Sequence, residues 1–389
     1  MSCIKKPNVR RDFEVMKCIR VTVLICLCVC MQTNPAWACR YNVRETGFAY
    51  LGIDPYRFYG YVRETTPEDI VSVFREISYA SLLDSNIQVD IINIDQQKDH
   101  PALKYLDLWR IQSYPSAVLV SPDGQSLVVP FETSNVSFKQ NLKSAVNDIV
   151  FSPARDKILK QVIETYGVVL LIEGTDAEEN RKALEIANKA IEKTKQQMRF
   201  MPKTISQPPS LIVVDRKSYS QEKILLWSLG LDLAKTNNPH VAVLYGRMRW
   251  IGPLFKGQEI SEAALTQVLY IIGEDCECGL DWTVLQGTML PTRWDEKIQS
   301  LTAAALRFDP ENPMIKLEIS QILRKGTSLY PGVPVDSKRN RDLSQMDSYP
   351  FGGEESPIKK HLYFMAGFAV LIIIGGMFIA LRTARKNPF

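Results

Sequence analysis

Histidine is scarce. His100, His240 and His361 are the only three in 389 residues, and they form no metal-ligand spacing. A histidine-built metal centre is thereby excluded, and the metal expectation is none. Phosphate loops are missing too: the chain has no Gly-rich cradle, no Gly-x-Ser-x-Gly turn, and no Ser/His/Asp set or acid pair that stands apart from ordinary surface charge. No catalytic residue, cofactor or small-molecule substrate is therefore expected, and a binding protein is favoured over an enzyme. Runs of one charge sign are lacking as well. Net charge is +4, and outside the ends no Lys/Arg run exceeds two, which gives no footprint for nucleic acid. Cysteine is thin in the body. Five of eight, Cys3, Cys18, Cys26, Cys28 and Cys30, fall in the first 38 residues, leaving Cys39, Cys276 and Cys278.

The composition that remains, 46% hydrophobic and 23% charged, is globular, and the length allows two or three domains. Residues 1–38 resemble an export signal. Lys17 and Arg20 precede an apolar run, and Ala36-Trp37-Ala38 offers a small-x-small cleavage site. Residues 362–381 carry no charge over twenty positions, enough to cross about 30 Å of hydrocarbon. Arg382, Arg385 and Lys386 follow and are expected to stay cytoplasmic. The expected topology is single-pass in the cell membrane, with the body extracytoplasmic (periplasmic or extracellular) and 382–389 as a cytoplasmic tail. Residues 327–361, rich in Pro, Gly, Ser and charge, read as a stalk.

The body is organised around 113–124. Tyr114-Pro115 leads into a β-branched run, and Pro122-Asp123-Gly124 turns the chain. Strand 87–94 and helix 101–111 come before it; strand 125–131 and helix 138–149 come after. A capped helix opens at Thr66-Pro67-Glu68-Asp69, with Ile70, Val73, Phe74, Ile77 and Ala80 at helical spacing. A similar order recurs at 166–172, a helix capped by Thr175 and Glu178, strand 211–215, a helix near 220–231, Asn238-Pro239, and strand 241–245. Helix 261–272 is stopped by Gly273. Pro115 and Pro239 thus take equivalent places. This order resembles the thioredoxin fold, in which the X-Pro bond before the strand is usually cis. The fold class expected is α/β, with two tandem thioredoxin-like modules, a C-terminal helical appendix and one transmembrane helix. The expected limits are a lead-in at 39–58 packed on the first module, module 1 at 59–152, module 2 at 153–273, and a Cys-x-Cys segment with two helices at 274–326.

A working thioredoxin carries Cys-x-x-Cys between its first strand and first helix. Here those positions read Arg63-Glu64-Thr65-Thr66 and Glu173-Gly174-Thr175-Asp176, without a thiol. The resemblance is therefore to the non-catalytic domains of protein disulfide isomerase relatives, and it implies polypeptide binding. Tyr114, Pro115, Pro239 and His240 mark the candidate binding surface, and the expected partners are a protein of the envelope and the membrane itself. The competing class is a thiol-disulfide oxidoreductase or soft-metal carrier acting through Cys276 and Cys278. Cys39, Cys276 and Cys278 are also disulfide candidates, with Cys39 free to bridge to either of the others.

Overall fold

A computed structural model describes residues 40–328, less 53–54, 132–137, 202, 204, 206, 233–235 and 276–286. The signal and membrane segments expected from sequence lie outside these residues, as does the stalk apart from Thr327 and Ser328, which close the last helix. Among the described residues no helix is long and apolar enough to cross a membrane.

The chain begins with a short helix, α1 (Val43–Thr46), and then enters β1 (Tyr56–Val62), α2 (Glu68–Leu82) and β2 (Ile87–Asn93). A 3-10 turn and α3 (Lys104–Trp109) lead to β3 (Ser116–Val120), β4 (Ser126–Val129) and α4 (Phe138–Val150). The strands order as β2-β1-β3-β4, with β1 parallel to β2 and antiparallel to β3. Alternation along each strand sends side chains to opposite faces. Phe58, Ala117 and Leu119 pack with Phe74 of α2 and Leu142 and Val146 of α4. Tyr61, Val118 and Val120 pack on the other face with Tyr105 of α3.

The arrangement then repeats. After α5 (Pro153–Glu164) come β5 (Val168–Ile172), α6 (Ala177–Gln197), β6 (Ser210–Val214) and α7 (Lys223–Ser228). They are followed by β7 (His240–Tyr245), β8 (Arg249–Lys256), α8 (Glu262–Gly273) and the two-residue β9 (Thr288–Met289). The order is β6-β5-β7-β8-β9, with the same parallel pair and the same antiparallel pairs as in the first sheet. Each sheet places its first strand centrally, and in each a proline immediately precedes the strand antiparallel to it. Tyr114-Pro115 is cis, as the resemblance implied; the bond before Pro239 is not. Helices α9 (Glu296–Leu306) and α10 (Pro313–Ser328) form the appendix.

Four expectations are corrected. The start of the lead-in, around α1, packs on module 2 rather than module 1, and its last residues, Tyr56 to Phe58, are already β1 of module 1. Arg44 of α1 donates to the carbonyls of Val162, Ile163 and Thr165 at the end of α5, and Arg249 of β8 donates to those of Gly47 and Ala49. Buried guanidiniums, which hydropathy cannot see, make that choice. Second, the box expected at Thr66 and Asp69 does not form: Thr66 accepts from Arg63 N instead, and Val71 rather than Ala80 lies inside α2. Third, Asp176 caps α6 through Glu178 N and Glu179 N, because Thr175 is held by Asn237. Fourth, Gly273 ends α8 in helical conformation. A Cβ there would meet Met201 Sδ at 2.4 Å and Tyr166 Oη at 2.6 Å, so close approach explains the glycine better than a left-handed cap. Helix α5 has no counterpart in the sequence reading; Ser152 caps it through Arg155 N.

Candidate functional site

In a strand-helix module of this kind, the loop after the central strand and the loop before its antiparallel neighbour meet at one end of the sheet. In module 1 these are 63–66 and the Tyr114-Pro115 pair. Arg63, Glu64 and Thr65 are exposed. The turn holds itself through Arg63 N to Thr66 Oγ1 (3.0 Å) and Thr66 N to Arg63 O (3.1 Å), and Glu64 N donates to Asp95 Oδ2 (3.0 Å). The Arg63 guanidinium lies 4.9 Å above the half-buried Tyr114 ring, an attraction between cation and ring quadrupole. Among the described residues Arg63 makes no ion pair. Behind Tyr114 the sheet face is aromatic: Tyr59 stacks on Tyr105 (5.9 Å between centroids), with His100 at its edge. His100 Nε2 sits 3.3 Å from Asp90, and its Nδ1 accepts from Ala102 N. Tyr61 donates to Ala102 O, and burial holds its hydroxyl far above the ordinary phenol range. On α3, Leu108 is 65% exposed, and Trp109, itself partly open, donates to Ser126 Oγ.

The equivalent place in module 2 is closed. Thr175 N and Oγ1 both donate to Asn237 O (2.7 and 3.2 Å). Asn180 clamps Gly174, accepting from its N–H and donating to its carbonyl. A Cβ on Gly174 would stand 2.1 Å from Asn237 O, so only glycine lets the two loops touch. Tyr219 donates to Glu173 O, and Arg216 to Thr236 O (2.9 Å). Pro239 is buried, and His240 is only 6% exposed. His240 Nδ1 has no hydrogen-bond partner among the described residues, and burial lowers the pKa of the ring from its ordinary 6.5. Both modules are thioredoxin-like. Only the first keeps its loop face open.

Of the expected surface residues, Tyr114 stands half-buried at the open face with Pro115 buried next to it, whereas Pro239 and His240 are both buried behind a closed one. Cys39, Cys276 and Cys278 lie outside the described residues. Among the described residues, Asn42 bridges Asp275 antiparallel, and Val43 N donates to Glu274 O (2.9 Å). Among the described residues no group of His, Cys, Asp and Glu could hold a metal. Arg63 is the site residue that sequence reasoning passed over. Its place in the emptied Cys-x-x-Cys position was the available signal.

No protein-family model matches the chain, and no curated protein matches it. Solved structures do. The first two thioredoxin domains of Saccharomyces cerevisiae Eps1p match at 12% identity over 57% of this chain and 92% of that one, with a TM-score of 0.19. The zinc-bound form of human ERp44 matches at 8% identity over 60% of this chain and 59% of that one (TM-score 0.21), and the bb fragment of ERp72 at 15% over 57% and 90% (0.21). At these values the thioredoxin-like assignment rests on the strand order, the pairing and the prolines of the chain itself.

Proposed function

We propose that the protein is a membrane-anchored extracytoplasmic binding or scaffold protein that holds an envelope polypeptide on the open face of module 1. The observation that carries this is the contrast between the modules. Neither loop has a thiol, yet one is sealed by Asn237 while the other leaves Arg63 and Tyr114 accessible. A face that offers an aromatic ring and an exposed guanidinium suits an extended polypeptide, which contributes its own C=O groups and apolar side chains.

The test uses the purified ectodomain and, as probe, a reduced and carboxymethylated unfolded protein, which contains no thiol or disulfide. Tyr114→Ala or Arg63→Ala is expected to weaken binding about tenfold, the scale of losing one aromatic or arginine anchor. His240→Ala is expected to leave affinity unchanged. Equal affinity in all variants would move the binding face elsewhere. Insulin disulfide reduction that is lost in Cys276→Ser would overturn the reading in favour of the oxidoreductase class.

A further inference from the structure

Arg155 is 2% exposed and spends its side chain on one junction. Its guanidinium donates to the carbonyls of Asp148, Ile149 and Phe151 at the end of α4, the last helix of module 1. It also reaches Pro291 O in the segment before α9 (3.2 Å), and its Nε donates to Ser152 Oγ (2.9 Å). Ser152 is the cap of α5, where module 2 begins. Its hydroxyl donates to Glu222, a carboxylate only 1% exposed that also accepts from Ala154 N (2.7 Å). Glu222 directly precedes α7, inside module 2. A buried cation and a buried anion therefore meet through one serine at the boundary, with helix ends from both modules completing the shell.

The apolar packing crosses the same boundary. Ile224 and Trp227 of α7 pack on the module 1 core, and Trp227 lies 6.1 Å from the Tyr56 ring. The segment before α9 returns to module 1 as well. Asn86 Nδ2 donates to Leu290 O and Asn86 Oδ1 accepts from Thr292 N (both 3.0 Å), while Trp294 N donates to Asp84 O (2.6 Å). Linked domains are by default mobile against one another unless their interface is large and apolar. Here it is apolar and also holds charges that lose their partners if it opens.

We propose that Arg155, Ser152 and Glu222 form a junction lock that fixes the two modules in one orientation, so that they move and unfold as a single body. Arg155 is a positioning residue in this device; it touches no ligand. The lock is independent of the binding role of module 1.

Single-molecule energy transfer in the full-length protein tests it, with dyes on non-natural residues at the exposed positions Lys98 and Lys189, one per module. The expected result for the unaltered junction is one narrow distance population. Arg155→Met, which keeps much of the bulk and removes every donor, is expected to broaden or split it while each module keeps its circular-dichroism signature. Glu222→Gln, which keeps an acceptor for Ser152 and Ala154, is expected to stay narrower than Arg155→Met. A narrow population in Arg155→Met identical to the unaltered protein refutes the lock. If Arg155→Met does not fold, hydrogen exchange of the unaltered full-length protein decides: α4 and α5 amides should open together with equal protection. Unequal protection would show two independent bodies and refute the lock equally.

Discussion

At Gly174 the space for a side chain is already taken. A methyl group would press on Asn237 O at 2.1 Å and on Asn238 C at 2.6 Å, both backbone atoms that cannot swing aside. Gly174→Ala is expected to cost roughly 1–3 kcal/mol. In urea this would appear as a lower midpoint at an unchanged slope. His240 yields a second expectation. Burial lowers its folded pKa below the 6.5 of the unfolded chain, so below 6.5 the unfolded state binds more protons than the folded one. Stability should then rise with pH from the folded pKa up to about 6.5 and be lost on acidification through that window. A His240→Leu variant compared by denaturant titration at pH 7 and pH 5 should show a smaller acid-induced loss. An identical loss in both proteins would place the acid sensitivity elsewhere.

Among the elements, α1 is the one whose short length hides its importance. Four residues long, it inserts Arg44 against the end of α5, where three carbonyls would otherwise be buried without donors. Burial pulls the Arg44 pKa down to about 10, still charged at neutral pH. Arg44→Ala is expected to lose at least about 3 kcal/mol, since each of the three buried acceptors left unpaired costs about 1–3 kcal/mol, read as a fall in Tm of the protein. Asn42 is bridged to Asp275; in the sequence Cys39 comes three residues before the first of these and Cys276 directly after the second. We expect a disulfide from Cys39 to Cys276 or Cys278. It would close a loop of more than two hundred residues and contribute roughly 5 kcal/mol by chain entropy, less any strain. Non-reducing peptide mapping should recover the two distant peptides linked. Recovery of Cys276 joined to Cys278, with Cys39 alone, would instead favour the redox-pair class.

For the whole molecule the proposal to test is the membrane topology. The apolar segment at 362–381 and the cations at 382–386 predict a body outside and a C-terminus inside. Protease added to intact cells, or to spheroplasts where an outer membrane exists, should remove the body and spare a C-terminal tag. A tag digested from outside would reverse the assignment. If the proposed lock holds, partial digestion of the protein should also spare 152–155 between the modules.

The order of strands and helices was legible in the sequence because it is written in local signals: apolar runs of five to seven residues, helical spacing, Asp-Gly and X-Pro turns. The repeat of that order, the emptied thiol positions and the place of Pro115 and Pro239 all followed from it. What the sequence did not determine is which buried polar groups meet. Arg44, Arg155 and Arg249 read as surface charges in any window of residues, and each is buried only because helix ends or strap carbonyls distant in the chain converge on it. For the same reason local pattern could not tell the open loop at Arg63 from the loop that Asn237 closes over Gly174. The two are equivalent in sequence order, and only tertiary packing decides which backbone carbonyl lies across which turn.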